Sequence, residues 1–146
     1  MSNLTMDPAS ELMQRIRTEP DPFEPFALSQ AIAVGDMLFV SGQAALDEHG
    51  AVVGEGDFLV QAEYAFLSLQ RVLQAAGSDL RDVVKVTLFM TDISHFGEVV
   101  ELRKRFFTPP YPADSIVEVS ALALPQLQFE IEAIAVRGSG SNKNQF

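Results

Sequence analysis

From Phe129 to Val136 the chain alternates with a period of two. Phe129, Ile131, Ala133 and Ala135 fall on one side of an extended segment, and Glu130 and Glu132 on the other. Ile116–Val119 is a second branched-aliphatic run of strand length, joined to the first through a short connection containing Pro125, and it carries Glu118. A carboxylate inside an apolar strand is costly unless its face meets water, a partner or a ligand. Two readings follow for these acids: a solvated sheet face, or the lining of a cleft.

Upstream, Ser29–Val34 and Met37–Val40 are apolar runs separated by Gly35-Asp36, a hairpin signal, and Ser41-Gly42-Gln43 follows where the strand must end or bend. Residues 47–56 are polar and glycine-rich, and predict a loop. Asp57 caps the clearest helix: Phe58, Ala62, Ala65, Phe66, Leu69, Val72, Leu73 and Ala76 recur at helical spacing, and Gly77 closes it. Residues 82–91 predict a strand with Val84, Val86, Leu88 and Met90 on one face. Val83, Lys85, Thr87 and Phe89 form the other, a mixed surface suited to a neighbouring subunit. Ser94 is placed to cap a second helix bearing Phe96, Val99, Val100, Arg103, Phe106 and Phe107, which Thr108-Pro109-Pro110 stops. The predicted order is β-β-α-β-α-β-β, an α+β domain in which two helices cover one face of a single mixed sheet.

The ends read differently. Residues 1–25 hold four of the eight prolines and predict an N-terminal arm, with Asp7-Pro8 starting a short helix along Leu12, Met13 and Ile16. Residues 26–137 form the single domain, and 138–146 have the composition of a disordered tail. No internal repeat is present.

Composition narrows the chemistry. The net charge of −10, from 20 acidic and 10 basic residues, argues against nucleic acid as a partner, because phosphate contacts need Lys and Arg. Arg103, Lys104 and Arg105 make one short basic cluster, read as a solvated helix face. No apolar run spans a membrane and no secretory signal opens the chain. The absence of cysteine removes thiolate chemistry and fits a cytoplasmic location. His49 and His95 have no spacing that makes a metal site.

Three segments carry a resemblance: A-I-A-V-G-D-M-L-F-V-S-G-Q (31–43), A-A-G-S-D-L-R-D-V-V-K-V-T-L-F-M-T-D (75–92) and F-E-I-E-A-I-A-V (129–136). They resemble the Rid family, the reactive intermediate deaminases also called YjgF-like or L-PSP endoribonuclease proteins. The resemblance runs from about Ser29 to Val136. It implies a chorismate-mutase-like α+β fold, a homotrimer with clefts between subunits, and hydrolysis of imines and enamines such as 2-iminopropionate, with no cofactor or metal. The family's pattern has an arginine after Pro-Ala that pairs with the substrate carboxylate. It also has a last-strand glutamate that handles water, and a tyrosine and an asparagine that shape the pocket.

Glu130 matches that glutamate, and Ser41, Gly42 and Gln43 match the S-G-Q motif. The arginine position is occupied by Asp114, the tyrosine position by Leu28 and the asparagine position by Val100. The resemblance therefore implies Glu130 as the catalytic residue and Asp114, Ser41, Gly42, Leu28, Val100 and Phe89 around the substrate. Read from residue type alone, Asp114 is equally at home as a turn residue, and Phe89, Phe129 and Tyr111 as packing. If Asp114, Glu118 and Glu132 approach Glu130, crowding raises their pKa values. Reversing the anchor's charge argues against 2-iminopropionate as substrate. A divergent hydrolase of another small imine or enamine is one expectation. A non-catalytic trimer that binds a metabolite or docks a partner is the alternative.

Overall fold

The computed structural model describes residues 12–145. Asp7-Pro8 lies outside the described residues. Eight regular elements follow in the order β-β-β-α-β-α-β-β: β1 (Met13–Ile16), β2 (Ala31–Val34), β3 (Met37–Ala44), α1 (Phe58–Ala75), β4 (Val83–Met90), α2 (Phe96–Phe106), β5 (Ala113–Glu118) and β6 (Phe129–Val136). The strands make one six-stranded sheet in the order β1-β2-β3-β6-β4-β5. Every pairing is antiparallel except β4 with β5. The expected mixed sheet with two helices on one face is the observed fold, with one strand more than the sequence predicts.

The core lies between the sheet and the helices. Leu38 and Val40 of β3, Val86, Leu88 and Met90 of β4, and Phe129, Ile131, Ala133 and Ala135 of β6 are buried against Ala62, Phe66, Leu69 and Leu73 of α1. Phe66 is the centre. Its ring lies 4.9 Å from Phe106, 5.7 Å from Phe107 and 5.9 Å from Phe129, so one side chain joins α1, the end of α2 and β6. Asp57 caps α1 by accepting from the Val60 N–H, and Gly77, at φ +74°, allows the chain to turn away at its end.

Four expectations are corrected. Leu12, Met13 and Ile16 are not a helical stripe: residues 13–16 pair with β2 as an edge strand, Met13 opposite Val34 and Ile16 opposite Ala31. A four-residue strand is too short to show its own period, and its pairing comes from the exposed edge of β2. In β4 the register shifts between Val83 and Lys85, so Val83 is buried and Val84 is 42% exposed, the reverse of simple alternation. Ser94 does not cap α2. Asp92 caps the preceding 3-10 turn by accepting from the Ser94 N–H, and α2 begins after His95 without a side-chain cap.

The fourth correction concerns the C-terminus. Ser139–Gln145 form 3-10 turns and do not trail as a disordered tail. Asp82, 5% exposed, accepts from the N–H groups of Gly138 (3.1 Å) and Gly140 (2.9 Å) and from the Ser78 hydroxyl (2.7 Å). Gly140 lies so close to the turn at Arg81 that a Cβ would overlap the Arg81 carbonyl oxygen. Composition alone does not reveal this docking, because its anchor is a buried carboxylate 58 residues upstream.

Burial opposes ionisation of Asp82, but the Ser78 hydroxyl and the two glycine N–H groups win and hold its carboxyl below the usual range. The stability that Asp82 supplies is therefore present above the unfolded aspartate pKa of about 3.9 and is lost as pH falls through the lower folded value. Asp82→Ala should cost about 1–3 kcal/mol at neutral pH in chemical denaturation. It should also release amide-exchange protection at Gly138 and Gly140, with a penalty that shrinks in acid.

Candidate active site on the open face and its second wall

The strand pattern that buries Phe129 and Ile131 sends Glu130 and Glu132 to the uncovered face of the sheet, where Glu130 stands opposite Phe89 on β4 and Glu132 opposite Thr87. The position of β6 is fixed from below by a buried amide. Gln61 of α1 donates to the Gln126 carbonyl (2.9 Å) and the Gly54 carbonyl (3.2 Å), and accepts from the Gln128 N–H (2.8 Å). This holds the lead-in to Glu130 against the helix layer.

On the other side of Glu130, β3 changes register between Val40 and Gln43, so Ser41 and Gly42 sit at a bulge. The bulge is pinned: Ser41 Oγ donates to the Ser29 carbonyl (2.6 Å), Ser41 N–H to the Gln30 carbonyl (2.9 Å), and Gln43 Nε2 to the Ser41 carbonyl (3.0 Å). The Ser41 hydroxyl is thus committed to the backbone as wall. Gly42 bears on Glu130 directly: a Cβ there would lie 2.5 Å from Glu130 Oε1 and 2.6 Å from its Cδ, so a larger residue would displace the carboxylate from this position. The glutamate side chain lies across the face of Gly42.

Glu130 is half-buried, and its carboxylate has no hydrogen-bond or ion-pair partner among the described residues. Burial pushes its pKa up, and the negative charge of Glu132 on the same face adds to the rise. A carboxylate in this state accepts a proton more readily than an ordinary surface glutamate.

Asp114 and Glu118 do not contribute to that rise as expected. In the β4–β5 register Asp114 pairs with Val86, Ile116 with Leu88 and Glu118 with Met90, so these three share the helix-facing side of the sheet. Glu118 accepts from the Ile93 N–H at 3.0 Å. Asp114 meets Arg103 of α2: Nη2 donates to Oδ1 at 2.8 Å and Nε lies 2.8 Å from Oδ2, although only the first contact has hydrogen-bond alignment. The two side chains are 19% and 21% exposed, so the pair is mostly withdrawn from water. It borders a cavity of about 260 Å³ together with Val100, Phe107 and Tyr111.

The residues expected at the site are therefore divided within one chain. Ser41, Gly42, Phe89 and Glu130 belong to the open face and its bulge, and Val100 and Asp114 to a second wall between α2 and β5. Leu28 is exposed just after Ala27, whose φ is +58°.

Arg103 is the residue that sequence reasoning misplaced. The cluster was expected to be a solvated face, and Lys104 and Arg105 are exposed as expected, whereas the Arg103 side chain is 21% exposed. Arg105 reaches Glu63 on α1 (2.8 Å) and Arg103 binds Asp114. A pair between a helix and a strand across a proline turn leaves no periodic signal. Tyr111, expected as packing, is 50% exposed at the mouth of the second wall.

Residues 17–137 match the family model described as Endoribonuclease L-PSP. The chain belongs to the Rid family. It is 38% identical to the RutC family protein y4sK of Sinorhizobium fredii, a match covering 84% of this chain and 97% of the relative. It is 37% identical to the 2-iminobutanoate/2-iminopropanoate deaminase of Rattus norvegicus, over 89% of this chain and 94% of that protein. The crystal structure of RidA from an Antarctic Psychrobacter superposes with a TM-score of 0.77 at 35% identity, covering 84% of this chain and 98% of the other. The chorismate-mutase-like α+β architecture is the Rid architecture. Among the described residues no helix is long and apolar enough to cross a membrane.

The raised pKa of Glu130 has a definite sign for stability. The folded state disfavours the ionised form, so the penalty for charging Glu130 is absent below the unfolded glutamate pKa, about 4.3, grows as pH rises, and is fully present above the higher folded value. Glu130→Gln should raise the melting temperature at pH 7.5, because the amide carries no charge to desolvate. The gain should vanish near pH 3.5, as checked by calorimetry at the two pH values.

Proposed function

We propose that this Rid-family chain hydrolyses a small imine or enamine that lacks a free α-carboxylate, in clefts between the subunits of a homotrimer. The observation that carries the reading is Glu130 held unpaired over Gly42, half-buried and raised in pKa. In the reaction, water adds to the C=N carbon while Glu130 takes its proton. Glu130 passes that proton to nitrogen to complete the carbinolamine, then takes the carbinolamine hydroxyl proton and delivers it to nitrogen as the C=O bond forms and ammonia leaves. An enamine first takes a proton at carbon to become the imine. General base catalysis of this kind contributes about 10²–10⁴-fold. Val34, Met37 and Phe39 are exposed and apolar on or beside the open sheet, and a second subunit would remove them from water. A cleft formed there would set Glu130 of one subunit against the α2–β5 wall of another.

The Asp114–Arg103 pair supports the choice of substrate. At the anchor position of the family's pattern stands a carboxylate already committed to a guanidinium, so the local charge is near zero and not positive. A small 2-imino acid finds no free cation from that position, and loss of such a contact typically weakens binding by ~2–5 kcal/mol. A neutral or amine-bearing imine meets no such deficit.

Ammonia release from a panel of imines and enamines generated in situ tests the reading. Carboxylate-free substrates should turn over, Glu130→Gln should lower their rate by about 10²-fold or more, and 2-iminopropionate should be hydrolysed little above background. Turnover of none would favour a non-catalytic binding trimer. Light scattering at micromolar concentration should give about three times the mass of the 16.0 kDa chain, and a monodisperse monomer would contradict the cleft.

A further inference from the structure

The docked C-terminal segment encloses a crevice that the imine chemistry does not use. Arg81, in the 3-10 turn ahead of β4, and Lys143, in the C-terminal turns, line the same cavity of about 240 Å³. Its floor is apolar: Val84, which the β4 bulge turns outward, and Tyr111 with the prolines on either side of it. Asn142 adds an amide at the rim.

Two positive side chains over an apolar floor stand out on a chain of net charge −10. Neither has an acidic side chain within ion-pair distance among the described residues. The carboxylates nearest to Arg81 are already committed. Asp79 accepts from Gln70, Gln74 and the Leu80 N–H, and Asp82 from Ser78, Gly138 and Gly140. Lys143 donates one proton to the Thr108 carbonyl at 3.0 Å and retains two donors. Burial holds its ammonium below the ordinary lysine range, against the opposing pull of Asp82. A bound anion would offset that desolvation.

We infer that the crevice between the C-terminal turns and Tyr111 is a second binding site, one that takes a small carboxylate with a flat or branched apolar body. The carboxylate sits between Arg81 and Lys143, and the body lies on Val84, Tyr111 and the flanking prolines. A bare inorganic anion uses the cations but leaves the apolar floor wet. A neutral amide of the same shape uses the floor but leaves the cations unpaired. The occupant that satisfies both is an organic acid of roughly ten non-hydrogen atoms, judged from the cavity volume.

Titration of the ¹⁵N-labelled full-length chain with benzoate, benzamide and inorganic phosphate tests the site. Benzoate should shift the amides of Ser139, Asn142 and Lys143 in a saturable way, and benzamide and phosphate should bind at least about tenfold more weakly. Arg81→Gln and Lys143→Gln should each weaken benzoate at least about tenfold, whereas Lys143→Arg stays within about threefold. Because Lys143→Gln also removes the bond to Thr108, Arg81→Gln is the decisive variant: it lies outside the C-terminal segment and leaves the bonds to Asp82 in place. Absence of saturable shifts with benzoate would overturn the proposal. So would equal binding of benzamide, equal binding of phosphate, or unchanged benzoate affinity in Arg81→Gln.

Discussion

Strand β6 is the constraint on which the rest of the molecule depends. It lies between β3 and β4, so both its edges are hydrogen-bonded and its side chains can only alternate between the helix layer and the open face. A slip of one residue would drive Glu130 and Glu132 into the core against Phe66 and expose Phe129 and Ile131. The burial of those aromatic and aliphatic side chains, each worth about 1.5–3 kcal/mol, therefore also fixes the glutamates in place. The hydrophobic core positions the acid that it excludes.

That arrangement sets stability against chemistry. Glu130 gains no hydrogen bond among the described residues, loses water to the walls around it and shares its face with Glu132, so its ionised form is disfavoured. Gly42 and the pinned bulge of β3 keep the geometry open for it. Across the sheet the opposite strategy holds: Asp114 is neutralised by Arg103 and Glu118 is hydrogen-bonded at Ile93. Of the acids that punctuate the two last strands, the one left half-buried and unpaired is also the one that matches the family's glutamate.

Strands β3 and β6 and helix α1 were legible because each has a long apolar run with explicit punctuation, such as Asp57 and Gly77, and the shorter β2 because Gly35-Asp36 marks its hairpin with β3. The open-face position of Glu130 was legible from alternation alone. What the sequence did not show has one physical character: interactions between segments far apart in the chain. The pairing of β1 with β2, the capture of Gly138 and Gly140 by Asp82, and the meeting of Arg103 with Asp114 leave no local pattern. The bulge at Val83–Lys85 is a further case, since a single irregular residue exchanges Val83 and Val84 between core and surface. Composition misread the C-terminal segment for the same reason, because Gly and Ser permit disorder but also permit the close approach to Arg81 that docking needs.

The most direct measurement is a ¹³C-detected titration of the Glu130 carboxyl in the wild-type protein and in Glu132→Gln. The account places the wild-type midpoint above that of an ordinary glutamate, and has it fall, while staying elevated, when the neighbouring charge is removed, because burial is the larger cause. A midpoint at the ordinary value of about 4.3, unmoved by Glu132→Gln, would mean that Glu130 is a solvated surface acid and would contradict its assignment as the base.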